Sequence, residues 1–363
     1  MGPGLYVHVP FCARKCAYCA FFSRPAEPAA VQSWQAGIER ELKALPAGFT
    51  PETIFIGGGT PTALEPDDLG RLLDGIHHHT DVRNVVEWTC EANPGTLTPE
   101  KAARLRAAGV NRLSIGAQSF RDATLRRLGR RHTAADTRSS AALAREAGFD
   151  RLALDLIYGV PGVPGESFQA DLESALELAP EHVSCYCLEI EEGTPLARAA
   201  AAGELATDED EQRRQYEAAR RRLTDAGLPP YEISNFARPG CECRHNQLYW
   251  SGGDYIGIGP AAHSHWNGVR WGNTAELPAW KRAFEEKLEP AAKARETLVM
   301  GLRRTAGWGR EEFRAATGYD YDDLRGPDIA RLAAEGRLMV EPDRIRLADE
   351  ALFVSDGVFA ELV

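Results

Sequence analysis

Six short apolar segments alternate with helical segments through the N-terminal part of this 363-residue chain. Short apolar runs separated by patterns with the helical period predict β-strands joined by helices. The strands are predicted at residues 5–9, 53–56, 85–92, 112–117, 152–158 and 183–190, and the intervening helices at 31–45, 66–77, 99–108, 133–147 and 166–178. Such strand–helix repeats favour a parallel sheet with right-handed crossovers. Six units are fewer than the eight of a closed barrel, so we expect an α/β fold with a partial, open (β/α)6 barrel.

Polar or metal-binding side chains lie at or near the carboxyl end of each predicted strand. They are Cys12, the run 57–60, Glu91 with Asn93, Gln118, Asp155 and Glu189. In α/β barrels the active site is built at the carboxyl ends of the strands. We therefore predict that these residues surround one site, and that the open side of the barrel admits a large substrate.

Three cysteines, Cys12, Cys16 and Cys19, have the spacing C-x3-C-x2-C directly after the first predicted strand. Thiolates are the usual ligands of iron–sulfur clusters, and a 4Fe–4S cluster that only carries electrons takes four of them. Three ligands leave one iron with an open position, which is where a metal centre can bind a small molecule. The spacing therefore predicts a 4Fe–4S cluster that takes part in chemistry.

Two other interpretations of these cysteines are open at this point. A structural zinc site usually has two separated ligand pairs, whereas only His8 stands near the three cysteines. A disulfide framework requires an oxidising compartment. The N-terminus has neither the basic stretch nor the apolar core of a signal peptide, so export is not indicated.

The formal net charge of −11 argues against a nucleic-acid partner, because proteins that bind nucleic acids carry basic patches. No segment approaches the ~20 apolar residues of a membrane helix. We expect a cytoplasmic protein without a transmembrane segment, and transient membrane association is left open. Cys90, Cys185 and Cys187 lie in apolar, strand-like runs, so we expect them to be buried free thiols.

The C-terminal part of the chain has a different pattern. After an irregular, aromatic region, helices are predicted at 310–317 and 328–335, with a short hairpin at 338–340 and 345–347. This order resembles a winged helix, for which the acidic charge favours a packing or lid role over DNA binding. We therefore expect a barrel domain at 1–235, a connecting region at 236–276, and a mainly helical, winged-helix-like C-terminal domain at 277–363.

The cysteine spacing and its position after a strand resemble the cluster-binding loop of the radical S-adenosylmethionine (SAM) superfamily. The resemblance implies that the open iron is chelated by the amino and carboxylate groups of SAM, and that the reduced cluster cleaves SAM to a 5′-deoxyadenosyl radical. In such systems the cofactors carry the difficult chemistry, and the protein supplies binding and orientation. The implied cofactors are therefore a 4Fe–4S cluster, held by Cys12, Cys16 and Cys19, and SAM.

The glycine run at 57–62 is similar to the glycine motif of that superfamily, which lies against the methionine part of SAM. The resemblance implies that SAM is bound by Tyr6, Tyr18, Gly58, Gly59, Thr60, Glu91, Gln118, Arg130 and Asp155. A solvated helix face is the alternative for Arg130, because other arginines stand beside it. Asp155 lies inside an apolar run, so its carboxylate must be paired or bound to a ligand.

Two runs, 112–120 and 154–161, resemble the radical SAM branch that includes oxygen-independent coproporphyrinogen III dehydrogenase, and this resemblance covers essentially the whole chain. Two departures stand out. The dehydrogenase has one more cysteine after the cluster loop, where this chain has Phe21. It also has a long extension before the loop, which we expect to be missing here because the loop begins at Cys12.

The string His245-Asn-Gln-Leu-Tyr249-Trp250 resembles the H-N-x-x-Y-W signature of the HemW-type haem chaperones. That resemblance implies haem binding through His245, beside flat aromatic surfaces. The alternative is a structural histidine that caps the end of the barrel. Rival haem ligands are His263, His265 and Cys243, and a separate metal site at Cys241, Cys243 and His245 is a further alternative.

The family resemblance thus predicts a chaperone that binds a 4Fe–4S cluster, SAM and haem, and that passes haem to respiratory apoproteins. The alternatives are SAM-dependent oxidative decarboxylation of coproporphyrinogen III and a related radical methyltransferase or haem-opening reaction. Whether the chain is an enzyme, and whether SAM is cleaved or only bound, stays open at this point.

Overall fold

The computed structural model describes the backbone of residues 1–363 and every side chain except that of residue 166. The strands of the N-terminal part are β1 Gly4–Val9, β2 Thr53–Gly58, β3 Glu87–Ala92, β4 Arg112–Gln118, β5 Arg151–Tyr158 and β6 His182–Cys187. The helices are α1 Pro28–Lys43, α2 Pro66–His79, α3 Pro99–Ala107, α4 Asp122–Arg127, α5 Ala134–Glu146, α6 Gly165–Glu177, α7 Pro195–Ala201 and α8 Glu209–Asp225. All six predicted strands are present, and they alternate with helices as expected.

The middle of the chain adds five short strands and one helix. They are β7 Asn235–Ala237, α9 Arg244–Trp250, β8 Tyr255–Ile258, β9 His263–Trp266, β10 Val269–Asn273 and β11 Arg282–Lys287. The remaining elements are α10 Pro290–Leu302, β12 Trp308–Gly309, α11 Arg310–Thr317, α12 Tyr321–Ala334, β13 Leu338–Glu341, β14 Arg344–Leu347 and α13 Ser355–Leu362. Helix α12 is interrupted at Arg325, two residues before Pro327, whose ring cannot continue the hydrogen-bond ladder.

One large sheet organises the fold. Its strand order is β11-β10-β9-β8-β1-β2-β3-β4-β5-β6-β7. Strands β1 to β6 are parallel neighbours in chain order, as expected for successive right-handed crossovers. The outermost strands, β7 and β11, do not pair with each other, so the sheet stays open and the predicted partial barrel is confirmed.

The strands are buried by the helices on the outer side of the sheet. In β1, Leu5, Val7 and Val9 are fully buried in the main apolar core, while the alternate residues point to the inner face. Trp34 of α1 is also fully buried, and its indole Nε1 donates to the carbonyl oxygen of His8 at 3.1 Å. This packing anchors β1, and with it the start of the cysteine loop.

The C-terminal part consists of α10 to α13 around a three-stranded antiparallel sheet of order β12-β14-β13. Strand β11 follows residue 277, where we expected the C-terminal domain to begin, yet it pairs with β10 and extends the large sheet. The proposed domain limits remain a prediction. No described helix has both the length and the apolar character needed to cross a membrane.

Candidate functional site

The three cysteines of the C-x3-C-x2-C loop lie at the carboxyl end of β1. Backbone hydrogen bonds tie the loop down: Cys12 N donates to Arg24 O at 3.0 Å, and Ala17 N donates to Leu128 O at 3.0 Å. Cys12, Cys16 and Cys19 are free and partly exposed. The loop therefore presents three thiols to one region while its backbone is fixed by contacts with the barrel.

The three thiols also influence one another. Burial raises the pKa of Cys12 and of Cys19, and the neighbouring thiols of the loop raise both further. A hydrogen bond from Thr60 and the charge of Arg130 act in the opposite direction on Cys12. A metal must displace these protons to bind the thiolates, so the binding of a cluster by this loop releases protons.

Arg130 connects the cysteine loop to the strand ends. Its guanidinium donates to Cys16 Sγ at 3.4 Å and to Asn93 Oδ1 at 2.6 Å. Asn93 Nδ2 in turn donates to Thr60 Oγ1 at 2.6 Å, and that hydroxyl lies 3.6 Å from Cys12 Sγ. Arg130 is half-buried and lies between α4 and α5, so the solvated helix face considered for it is wrong.

The glycine run packs tightly against β1. Gly58 has a φ of +101°, and a Cβ there would lie 2.4 Å from the ring of His8. At Gly59 a Cβ would lie 2.7 Å from the carbonyl oxygen of Val9, to which the Gly59 amide donates at 2.8 Å. Glycine is required here because no side chain fits, and the close approach brings the run beside the cysteine loop.

Glu91 and Asp155 form a pair of carboxyl groups inside the barrel, on the face of the sheet that also carries Tyr6. Burial, and then the charge of Asp155, raise the pKa of Glu91 to about 8. Burial also raises the pKa of Asp155, against hydrogen bonds from Ser184 and Ser114 and the charge of Arg112. At neutral pH such a pair can both accept and donate hydrogen bonds, which suits a ligand with neighbouring hydroxyl groups such as a ribose.

Gln118 ends β4 in a strained conformation, with a φ of +63°. Its Oε1 is buried and has no hydrogen-bond partner, which is rare for a buried polar atom and typical of a site that binds a ligand. A Cβ at Gly116 would lie 3.0 Å from Gln118 Nε2, so the glycine makes room for this side chain. Tyr18 packs on the small apolar cluster around Leu128 and Ile157. The predicted residues therefore fit a polar ligand such as SAM.

His245 lies in a different environment. It is 1% exposed, its Nδ1 is 2.8 Å from Thr53 Oγ1, and its Nε2 is 2.8 Å from Tyr249 Oη. Burial, and then the charge of Arg112, lower the pKa of His245 to about 3. The backbone amide of His245 donates to the buried carboxylate of Glu87 at 3.1 Å. The ring is thus a neutral imidazole with both nitrogens engaged.

His245 also lies at the opposite end of the barrel from the cysteines. Its partners Thr53 and Glu87 are the first residues of β2 and β3, whereas Cys12 follows the last residue of β1. Strands β1 to β3 are parallel and in register. The first residues of β2 and β3 therefore lie at one end of the barrel, and the cysteine loop lies at the other. This geometry supports the structural interpretation, in which His245 caps the barrel.

The rival haem ligands differ in accessibility. Cys243 is buried beside Glu87 at 3.5 Å, and burial raises its pKa to about 12. His265 Nδ1 is 3.3 Å from Asp254 Oδ1, and its Nε2 is buried without a partner. His263 is exposed.

A separate metal site at residues 241, 243 and 245 has no support. Among the described side chains, no three histidine, cysteine or carboxylate groups are placed to hold a metal ion. This holds for the three cysteines of the loop as well. The ligands of a 4Fe–4S cluster bind different iron atoms and need not converge on one point.

Two residues of the site were not predicted. His8 Nδ1 is 3.0 Å from the hydroxyl of Tyr6, and its Nε2 is 3.2 Å from the carbonyl oxygen of Phe22. Arg112 is buried and stabilises Asp155 in its charged form. The sequence offered one signal for Arg112, because it is a charged residue at the start of an apolar strand. A charged side chain that is buried must be paired.

Comparison with known proteins identifies the protein superfamily of this chain. Residues 6–175 match the radical SAM superfamily, and residues 288–354 match the HemN C-terminal domain. The structure of coproporphyrinogen III oxidase (HemN) from Escherichia coli superimposes with a TM-score of 0.85 at 22% identity, covering 99% of this chain and 90% of that one. The domain match and the fold are those of a radical SAM protein, which implies a 4Fe–4S cluster and SAM as cofactors.

Several curated relatives match nearly the full length. The heme chaperone HemW of Mycobacterium tuberculosis is 40% identical, with 99% of this chain and 94% of the relative covered. The heme chaperone HemW of Bacillus subtilis is 34% identical, with 98% and 97% covered. The chain belongs to the HemW family, which confirms the family predicted from the motifs.

Proposed function

We propose that this protein is a haem chaperone, which binds haem and transfers it to respiratory apoproteins while carrying a 4Fe–4S cluster and SAM. The observation that carries this proposal is the 33–40% identity to heme chaperones over almost the whole chain. In the proposed site, Cys12, Cys16 and Cys19 hold the cluster, and the residues around Glu91, Gln118 and Asp155 hold SAM.

Exposure of the cysteine loop also supports this proposal. Phe21, which stands where the dehydrogenase branch has a further cysteine, is 68% exposed. Single exposed apolar side chains are common on protein surfaces, so what bears on the proposal is the position of this one, two residues after Cys19. It lies next to the cluster loop, where a partner apoprotein or a porphyrin can contact it.

A second candidate is SAM-dependent oxidative decarboxylation of coproporphyrinogen III. The observation in its favour is the unpaired, buried Oε1 of Gln118, together with the Glu91–Asp155 pair. These groups fit a SAM site, and a protein that only carries haem has no evident need for one. The fold likeness to HemN at 22% identity concerns architecture alone.

We further propose that the protein acts in the cytoplasm. The cysteines of the described chain are free thiols, a state that a reducing compartment maintains. The net charge of −11 makes nucleic acid an unfavourable partner. Transient contact with a membrane, where respiratory apoproteins reside, is compatible with this proposal.

The proposal is tested with anaerobically reconstituted protein. Hemin is titrated into it, and the loaded protein is mixed with an apoglobin while the visible spectrum reports transfer. We expect stoichiometric hemin binding and transfer faster than from serum albumin, which serves as a non-specific carrier. A parallel incubation with reductant, SAM and coproporphyrinogen III, with Cys12→Ala as control, tests the alternative. Product above this control without hemin binding would reverse the order of the two candidates.

A further inference from the structure

Strands β8 to β11 extend the large sheet beyond β1, and their registers define which side chains share its inner face. Gly4 pairs with Tyr255, and Tyr255 pairs with His265. Side chains alternate along a strand, so His263 lies on the same face as His265, and Tyr6 on the same face as Gly4. His263 therefore faces the side of the sheet that carries Tyr6.

The position of His263 along this face follows from the strand directions. Strand β8 is parallel to β1, and β9 is antiparallel to β8. Moving from His265 to His263 therefore runs toward the carboxyl end of β1, where Cys12 lies. Two strand spacings separate β9 from β1, which is roughly 10 Å. His263 thus lies at the level of Tyr6, beside the proposed SAM site.

The surroundings of His263 are accessible and include an exposed aromatic ring. His263 is exposed, and its ring centroid is 5.7 Å from that of Phe284, which is 42% exposed. The two rings meet over Gly272, where a Cβ would lie 2.6 Å from Phe284 Cε1 and 3.1 Å from His263 Cε1. Strand β11, which carries Phe284, is an exposed edge strand, so a broad planar ligand can approach from the open side.

His265 lies on the same face, but its Nδ1 is 3.3 Å from Asp254 Oδ1 and its Nε2 is buried, so it is less accessible than His263. Three further histidines already use their ring nitrogens in hydrogen bonds. His245 has both ring nitrogens within 2.8 Å of hydroxyl groups. His8 contacts Tyr6 and the backbone of Phe22. His182 is buried and bonded to Tyr231. Using any of these three as an iron ligand would break a hydrogen bond and leave its partner unpaired.

We infer that the imidazole of His263, and not that of His245, is the axial ligand through which this protein binds haem iron, with Phe284 packing against the porphyrin. Haem iron is held by an axial ligand, which is often an imidazole. A single exposed ligand at an open sheet edge also allows the release that a carrier needs. This inference deepens the proposed function and rests on it.

The test compares hemin binding by the reconstituted full-length protein and four variants. His263→Ala and His263→Gly remove the ligand. His245→Gln removes the residue of the H-N-x-x-Y-W motif while keeping hydrogen-bonding groups, and His78→Ala is the matched control, because His78 is exposed on the outer helix α2. Iron and sulfide content and the melting temperature verify that each variant is folded and carries its cluster.

We expect His263→Ala to weaken hemin binding at least tenfold and to lose the histidine-type Soret spectrum, with His245→Gln and His78→Ala within threefold of the wild type. Added imidazole should restore the spectrum of His263→Gly. Wild-type binding with an unchanged spectrum in His263→Ala would overturn this inference and leave the haem chaperone intact. If the wild type itself fails to bind hemin, the proposed function falls, and this inference with it.

Discussion

Thr53 Oγ1 and His245 Nδ1 lie 2.8 Å apart at the amino end of the barrel, and they join β2 to α9 across 192 residues of sequence. Because Tyr249 engages the other ring nitrogen, the imidazole is held on both sides. Two of the signature residues of the H-N-x-x-Y-W string thus bond to each other. In this structure the signature closes the barrel end remote from the cysteines.

The buried imidazole makes stability depend on pH. The pKa of His245 is lowered to about 3, so between about pH 6.5 and 3 the unfolded chain binds a proton that the folded chain does not. The contribution of the neutral His245 side chain to the free energy of unfolding is fully present above pH 6.5, and it is lost as the pH falls through this window. From pH 7 to 5 we expect a loss on the order of 1–2 kcal/mol.

Urea denaturation of wild type and His245→Gln at pH 7 and pH 5 measures this effect. The variant should be less stable at pH 7 and should lose less stability on acidification. An equal loss in both proteins would show that His245 titrates normally in the folded state.

Gly4 provides a test of the packing around this cap. A Cβ at Gly4 would lie 2.7 Å from Leu248 Cδ2 and 2.9 Å from His245 Cε1. Gly4→Ala should therefore destabilise the protein by about 1–3 kcal/mol, because a packed region tolerates an added methyl poorly. The control is Gly75→Ala in α2, where the nearest atom to a Cβ is 3.4 Å away and a gain in helix propensity is expected. A Gly4→Ala protein as stable as the control would contradict the packing.

Much of this architecture follows from local sequence. The six strands and their helices are predictable because each has a clear apolar period and turn residues at its ends. Strands β8 to β10 are four or five residues long and contain glycine, histidine and tryptophan without clean alternation. They were therefore interpreted as an irregular connecting region.

The site was predicted unevenly for a related reason. The cysteines and the glycine run are contiguous motifs, so their spacing identifies them. The position of His245 depends on Thr53 and Glu87, which are distant in sequence. Cys241, Cys243 and His245 do not share one face of a strand, because a helix begins at Arg244. Long-range contacts of this kind leave no periodic signal.

The cluster ligands can be tested directly. Removing the thiol of Cys16 leaves two protein ligands, so Cys16→Ala should contain less than about a tenth of the wild-type iron and sulfide after anaerobic reconstitution, since thiolates hold such clusters. Cys241→Ala, which removes a half-buried free thiol elsewhere, is the control. Full iron and sulfide content in Cys16→Ala would disprove the ligand assignment.

Arg130 should support the cluster loop through its planar guanidinium. Lysine cannot reach Cys16 Sγ, Asn93 Oδ1 and Gly116 O together, because its single ammonium lacks the forked geometry. We expect Arg130→Lys to lower the free energy of unfolding by about 1–3 kcal/mol through buried acceptors left unpaired. Arg126→Lys, on the exposed side of α4, should change it by less than about 0.5 kcal/mol. Equal melting temperatures of the two variants would refute this role.

Replacing Glu91 by glutamine should raise the stability of the protein and lower its affinity for SAM. The pKa of Glu91 is raised to about 8, so between about pH 4.5 and 8 the folded chain retains a proton that the unfolded chain releases, and stability falls as the pH rises.

Glu91→Gln keeps an acceptor for the Gly58 amide, which donates at 3.1 Å, but cannot ionise. The variant should therefore gain stability relative to the wild type from pH 5 to pH 8, on the order of 2–4 kcal/mol. SAM affinity, measured by calorimetry on the reconstituted protein above about pH 8, where the Glu91 carboxyl of the wild type is ionised, should fall about tenfold, since a charged acceptor contributes more than an amide. Glu146→Gln, on the exposed face of α5, should change neither quantity. A Glu91→Gln protein with the pH profile of the wild type would show that this carboxyl is ionised normally and that the Glu91–Asp155 pair does not share a buried charge.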